Sequence, residues 1–331
     1  MERRKLGKSN VSASVITFGA WAICGWMWGG ADRKEAIDAI RASYDLGVTS
    51  IDTAPAYGHG LSEEIVGEAI RGIDRGKVQI LTKYGLRWDT DKGEFYFKTK
   101  DNSGNDLNMH KFASKESIVK EVEVSLKRLN TDYIDLYQIH WADPTTPVSE
   151  TMEAMERLIE QGKIKAAGVC NYSAALMKDA SKYVLLASNQ IPYSMLRRDN
   201  EKEVIPYAMK HDIAIIVYSP LQKGLLTGKM KPGYHFNDGD SRRNESNYTD
   251  KNLKRVGSFL KKLKPLAESK SATLAQLVLR WTLQQPGITI VLVGARNPKQ
   301  AIENAGAIEF KLSKEEINFI NNQLSKVELV R

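Results

Sequence analysis

The chain has 331 residues, 42% of them apolar and 27% charged, with a formal net charge of +8. This is the composition of a globular protein with a sizeable core. No apolar run approaches the length of a membrane span, and no apolar stretch follows the N-terminal Met1-Glu2-Arg3-Arg4-Lys5, so neither a membrane protein nor a secreted one is expected and a cytoplasmic location is. The positive charge does not point to nucleic acid, because basic residues are interleaved with acids, as from Lys115 to Lys127, and no like-charge block is long enough for a nucleic-acid tail.

Residues 3 to 13 read as a short hairpin turning at Gly7 to Asn10, and Val15 to Phe18 as the first buried strand. A helix from Arg33 to Leu46 carries Ile37, Ile40 and Tyr44 on one face and stops at Gly47. The strand 48–51 is followed by a helix 62–71 with Ser62 expected as its N-cap. Val78 to Thr82 is a strand ending at Lys83. After a polar excursion from Arg87 to Lys111 comes the helix 115–129. Tyr133 to Ile139 ends at His140, and Thr146-Pro147 is expected to open the next helix as N-cap and first residue. Strands Ile164 to Val169 and Val184 to Ser188 end near Asn171 and at Asn189-Gln190, separated by a helix near 174–181. Helix 201–210, strand Ile213 to Val217 and a long polar loop from 220 to about 250 follow. Helices near 251–268 and 272–284, strand Thr289 to Leu292, and helices 298–306 and 313–324 complete the chain.

The eight buried strands are mostly continuous apolar runs, as in a parallel sheet covered on both faces. Helices alternate with them, so the expected architecture is a (β/α)8 TIM barrel, α/β in class, with an N-terminal β-hairpin cap and two long loops at the C-terminal mouth. An open doubly wound sheet fits less well, because no GxGxxG follows the first strand. Residues 1–331 are expected to form a single domain. Both long loops leave strand C-terminal ends, where loops of that length are lids or disordered segments.

In a barrel, strand C-terminal ends converge on one mouth. There the sequence places Asp52 with Tyr57, then Lys83, His140, Asn171, Gln190, Tyr218 and Arg296. A tyrosine is a poor acid at neutral pH, but an adjacent ammonium favours its anion and is expected to lower its pKa. Asp52 would keep Lys83 charged, and His140 can donate a hydrogen bond to a carbonyl oxygen. The set suits protonation of an oxygen on which negative charge develops. It contains no evident nucleophile, and none of the five histidines stands at metal-ligand spacing from another histidine or a cysteine, so no metal is expected. Two cysteines, Cys24 and Cys170, make no disulfide framework.

The motifs Phe18-Gly19-Ala20-Trp21, Asp52-Thr53-Ala54 with Tyr57-Gly58, Leu81-Thr82-Lys83, Gln138-Ile139-His140-Trp141, Gly168-Val169-Cys170-Asn171-Tyr172 and Gly224-Leu225-Leu226-Thr227-Gly228-Lys229 occur in order along nearly the whole chain. In them the sequence resembles the aldo-keto reductases, and within these the bacterial branch of general-stress and inositol-operon reductases. The resemblance implies NADPH-dependent reduction of a small-molecule aldehyde or ketone, sugar-derived ones included, with NADP+ as product. Tyr57 would be the proton donor and Asp52, Lys83 and His140 would complete the catalytic tetrad. Asn171 and Gln190 would hold the nicotinamide carboxamide, and Tyr218 would stack on its ring. Trp21, Ser219, Leu221, Gly224 and Lys229 would line the cofactor, and Gly294, Arg296, Gln300 and Asn304 would take its adenosine end and 2′-phosphate. Trp21, Trp28, Trp88 and Trp141 would wall the substrate pocket. Cys170 stands where many members have Ser. Two other readings start from the same residues: a cofactor-binding regulatory subunit with slow chemistry, and an aldolase using Lys83 as a Schiff base.

Overall fold

The computed structural model describes residues 1–330. Strands β1 (Arg3–Lys5) and β2 (Ser12–Ser14) pair antiparallel, with Arg3 opposite Ser14. This hairpin plugs the floor of a barrel: Leu6, Val11 and Ala13 bury themselves among the inward-facing Leu81, Leu136, Ile216 and Ile290. Gly7 makes the plug possible. Its φ is +56° and a Cβ there would lie 2.5 Å from the Asp212 carbonyl oxygen, which no other residue could tolerate.

The barrel strands are β3 (Ile16–Gly19), β4 (Ser50–Asp52) and β5 (Gln79–Tyr84). A rim sheet intervenes, formed by β6 (Leu86–Arg87), β7 (Glu94–Lys100) and β8 (Asp106–Lys111). The barrel continues through β9 (Leu136–Ile139), β10 (Ala167–Cys170), β11 (Leu186–Pro192), β12 (Ala214–Tyr218) and β13 (Ile288–Gly294). All eight barrel strands are parallel, and the ring closes where β13 pairs with β3, Gly294 opposite Gly19. Because the strands are parallel and in register, Asp52 on β4 lies opposite Leu81, and Lys83 on β5 opposite Gln138. The same register puts Cys170 opposite Gln190.

The outer helices form where the sequence has a cap and a 3.6-residue apolar stripe. In α1 (Arg33–Asp45), Asp32 caps the amide of Glu35 at 2.8 Å, Ala36, Ile37, Ala39 and Ile40 face the barrel, and Gly47 at φ +83° ends the run. The next helices are α2 (Leu61–Ala69), α3 (Lys115–Leu129), α4 (Val148–Glu160), α5 (Ala174–Ala180) and α6 (Val204–Lys210). They are followed by α7 (Asp250–Ser269), α8 (Leu274–Leu283), α9 (Pro298–Ala305) and α10 (Lys314–Leu324).

Three expectations from the sequence are corrected. Ser62 lies inside α2, whose N-cap is Gly60. It is fully buried, donating to the Ala20 carbonyl at 2.8 Å and bonding the Thr53 hydroxyl at 2.8 Å, so it clips the ends of β3 and β4 together. Pro147, not Thr146, is the N-cap of α4. The excursion from Arg87 to Lys111 is not a disordered insertion but carries the β7–β8 hairpin, in which Phe97 pairs with Met109. Tyr96 and Phe97 pack inward against the cluster around Met109, helped by an irregularity in register between Phe95 and Phe97, while Phe95 is exposed. The hairpin tip is tied down by the Trp26 indole donating to the Lys100 carbonyl at 3.0 Å and the Asn102 amide donating to the Cys24 carbonyl at 2.9 Å.

Candidate active site

The C-terminal mouth opens into a cleft of about 450 Å3. At its base, strand β4 delivers Asp52 and strand β5 delivers Lys83, both essentially buried. Lys83 Nζ donates to Asp52 Oδ1 at 2.6 Å and to the Thr53 carbonyl at 2.8 Å, and the Gln190 amide donates to Asp52 Oδ2 at 2.7 Å. The loop after β4 turns through a bond from the Tyr57 amide to the Ala54 carbonyl and carries the Tyr57 ring over Lys83, whose Nζ lies 4.8 Å from the ring centroid. The His140 ring stands at 5.7 Å and 79° to the Tyr57 ring, and Trp21 stacks on the Tyr57 ring at 6.0 Å. The four residues expected to act together therefore do meet.

Electrostatics differs from the expectation in one respect. The Tyr57 phenol is pushed up to about 12, not down: its burial outweighs the pull of the Lys83 ammonium, which acts in the expected sense but is the smaller effect. Burial also pushes the Asp52 carboxyl above its usual value, with Lys83 pulling it back. Burial is the largest single effect on Lys83 and would lower it, but Asp52 and, in smaller measure, Tyr57 and Cys170 together outweigh it, and the ammonium is held above the ordinary lysine range. Burial, assisted by the Lys83 charge, drives His140 well below the usual histidine value, so its imidazole is neutral near pH 7 and retains one N–H to donate.

From this base the cleft runs outward along the ends of β10 to β13. Asn171 stands in the left-handed region at φ +60°, and its amide links the His140 carbonyl (3.3 Å) to the Tyr218 hydroxyl (3.0 Å). Ser219, Gln222 and Lys223 also have positive φ. Non-glycine residues in that region cost energy and gather where function requires them. At the far end, Asn297 caps α9, Gln300 accepts from the Arg296 amide at 2.9 Å, and Asn304 donates to the Gly294 carbonyl at 3.1 Å. The start of α9 thus presents a helix N-terminus beside a guanidinium, an arrangement suited to phosphate.

Trp21, Trp28, Trp141, Leu221, Gly224 and Lys229 also line the cleft. Trp88 does not, which corrects its placement in the substrate wall. It sits behind the Tyr57 loop, edge-on to His59 at 5.2 Å with the Arg128 guanidinium 5.9 Å from its ring. Its place in the wall is taken by Tyr96 and Phe97 of β7. The aromatic run Phe95-Tyr96-Phe97 is a strand-propensity signal that the surrounding polar residues obscured.

The loop after β12 crosses the cleft. Asp240 bridges to Trp28, and the Ser241 amide donates to the Met27 carbonyl at 3.0 Å. Arg242 holds both oxygens of Asp240 (2.9 and 2.6 Å) and lies 4.7 Å above the Trp28 ring. Lys223 pairs with Glu245 at 2.7 Å and Lys229 with Glu303 at 2.9 Å. Arg296 makes no ion pair with any described residue; its one side-chain bond is a long one, 3.5 Å, to the Trp28 carbonyl.

A buried Tyr–Lys–Asp–His group thus stands at the mouth of a (β/α)8 barrel and opens onto an elongated cleft that ends at a helix N-terminus. The Aldo/keto reductase family profile matches residues 15–324, and the chain belongs to that family. It is 41% identical to the aldo-keto reductase YhdN of Bacillus subtilis, over 98% of this chain and 94% of that one. It is 35% identical to an NADH-specific methylglyoxal reductase of Escherichia coli, covering 99% of this chain and all of that one. Among solved structures, a glycerol dehydrogenase from Gluconobacter oxydans superposes with a TM-score of 0.87 at 35% identity, covering 98% of this chain and 95% of that one. Members of the family use nicotinamide cofactors.

Proposed function

We propose that residues 1–331 act as one domain that reduces aldehydes and ketones, sugar-derived ones among them, with NADPH, and that Tyr57 is the general acid. The observation that carries this reading is the Tyr57 phenol held between a charged Lys83 and a neutral His140 at the cleft base. With a pKa near 12 the phenol is fully protonated at neutral pH, so the acid form is always available. As its proton leaves, the Lys83 ammonium stabilises the phenolate, and Asp52 keeps that ammonium charged. His140 donates an N–H that orients the carbonyl oxygen toward Tyr57. The bound nicotinamide supplies the hydride.

The cleft suits such a cofactor in chemistry as well as length. Asn171 and Gln190 offer amide groups near the tetrad, Tyr218 an aromatic face, and Trp21, Ser219, Leu221, Gly224 and Lys229 the middle section. Gly294, Arg296, Gln300 and Asn304 would take the adenosine end, with Arg296 the cation available for a 2′-phosphate. The Gln190 amide nitrogen donates to Asp52 at 2.7 Å and, at 3.5 Å, to the Gln138 carbonyl oxygen, so its own carbonyl oxygen is the atom left to accept from a carboxamide. Trp21, Trp28, Trp141, Tyr96 and Phe97 give the substrate an aromatic wall. NADPH oxidation measured over a panel of aliphatic, aromatic and sugar aldehydes tests the proposal; no turnover with any of them would favour a cofactor-binding regulatory role.

A further inference from the structure

A second cavity, of about 520 Å3, lies on the barrel flank between α7 and the segment following α10. It shares no residue with the cleft. Lys251, Lys254, Arg255 and Lys262 line it from α7 and Lys326 from the other side, against a single carboxylate, Glu328. Their spacing along α7 places the four helix cations on one stripe, where like charges three and four residues apart repel. Among the described residues none of the five makes an ion pair; Arg255 donates to the Glu328 backbone carbonyl rather than to its carboxylate. The contrast with the loop over the cleft is direct, since Lys223, Lys229, Arg242 and Arg243 each have a carboxylate partner there.

Five cations gathered around a concavity with one carboxylate among them, and with no ion pair among the described residues, cost the fold free energy that an anion would return. We infer that this groove is a binding site for a small soluble ligand carrying two or more linked phosphate groups. A single phosphate engages few cations spread over about three turns of α7, roughly 16 Å, whereas linked phosphates reach more of them. A nucleic acid strand is disfavoured, because the one aromatic ring in the groove, Phe259, is buried in its floor and offers no face for stacking. The volume is that of a small-molecule pocket.

Isothermal titration of the full chain with sodium tripolyphosphate at low salt tests this, with orthophosphate as a parallel arm. One equivalent of tripolyphosphate should bind saturably, at least tenfold more tightly than orthophosphate. Binding should weaken as salt is raised from about 0.05 to about 0.3 M, because the cations are solvent-facing. The double variant K254Q/K262Q should lose at least tenfold in affinity. In low salt it should also melt at a temperature no lower than the parent, since it relieves repulsion, and this separates lost binding from lost folding. A single-site variant, Lys326→Gln, should give an intermediate loss. Absence of saturable binding, equal affinity for the two anions, or undiminished affinity in the double variant would each overturn the assignment.

Discussion

Gln190 donates to Asp52 Oδ2 at 2.7 Å, on the oxygen opposite the one that Lys83 holds at 2.6 Å. Asp52 is thereby gripped from both sides, which fixes where the Lys83 ammonium sits beneath Tyr57. A hydrogen bond to a charged group contributes about 1.5–3 kcal/mol. Gln190→Leu should therefore lower the unfolding free energy in a urea titration by about that amount, and carbonyl reduction should fall with it. Unchanged stability would mean that the bond holds nothing in place.

Tyr57→Phe should bind NADPH normally while kcat/KM for carbonyl reduction falls by about 10²–10⁴, the range for a lost general acid. Near-normal turnover in that variant would pass the acid role to His140 or water. Lys83→Met removes the one influence that opposes burial, so the Tyr57 pKa should rise beyond its present value near 12. Its alkaline limb should move to higher pH. Because His140 is held neutral, no ionisation from it should show in the pH–rate profile between about 6 and 8.

Arg296→Ala should weaken NADPH about ten- to a hundredfold and leave NADH nearly unchanged, the loss expected for one charge-assisted contact. Fluorescence titration with both cofactors measures this. Equal losses would remove Arg296 from the 2′-phosphate site and bring the protein nearer to its NADH-specific relative in cofactor choice.

The loop after β12 should become harder to cleave when cofactor binds. It is held to the opposite rim by the Ser241 to Met27 bond, the Asp240–Trp28 bridge and the Arg242 guanidinium over Trp28, and cofactor bound beneath it should add to these ties. Limited proteolysis should show the segment 222–245 protected by saturating NADPH, and identical cleavage patterns would count against closure.

Stability should depend on pH through Glu121, a buried carboxyl outside the catalytic group. It accepts from the Gly85 amide at 3.0 Å and the Ser117 hydroxyl at 2.9 Å, yet burial pushes it up from 4.5 to about 7. A carboxyl raised by folding favours the folded state fully below pH 4.5 and loses that contribution as pH rises through about 7. The swing is about 3 kcal/mol. Glu121→Gln keeps an acceptor for Gly85 and should flatten the decline in unfolding free energy over that window; an unaltered slope would exclude Glu121 as its source.

The sequence by itself determined the barrel and the members of the catalytic group. Apolar runs alternating with capped helices are local signals, and parallel strands bring their C-terminal ends to one mouth whatever the details of packing. Asp52, Tyr57, Lys83 and His140 needed only that rule to be placed together. Tertiary structure alone decided what depends on distant chain segments and on exclusion of water. The Gln190–Asp52 bond joins residues 138 apart in sequence. The turn of Trp88 toward His59, and its replacement in the wall by Tyr96 and Phe97, follow from how the β7–β8 hairpin docks on the loop after β3. The direction of the Tyr57 shift was a contest between a charge that the sequence names and a burial that it does not, and burial won.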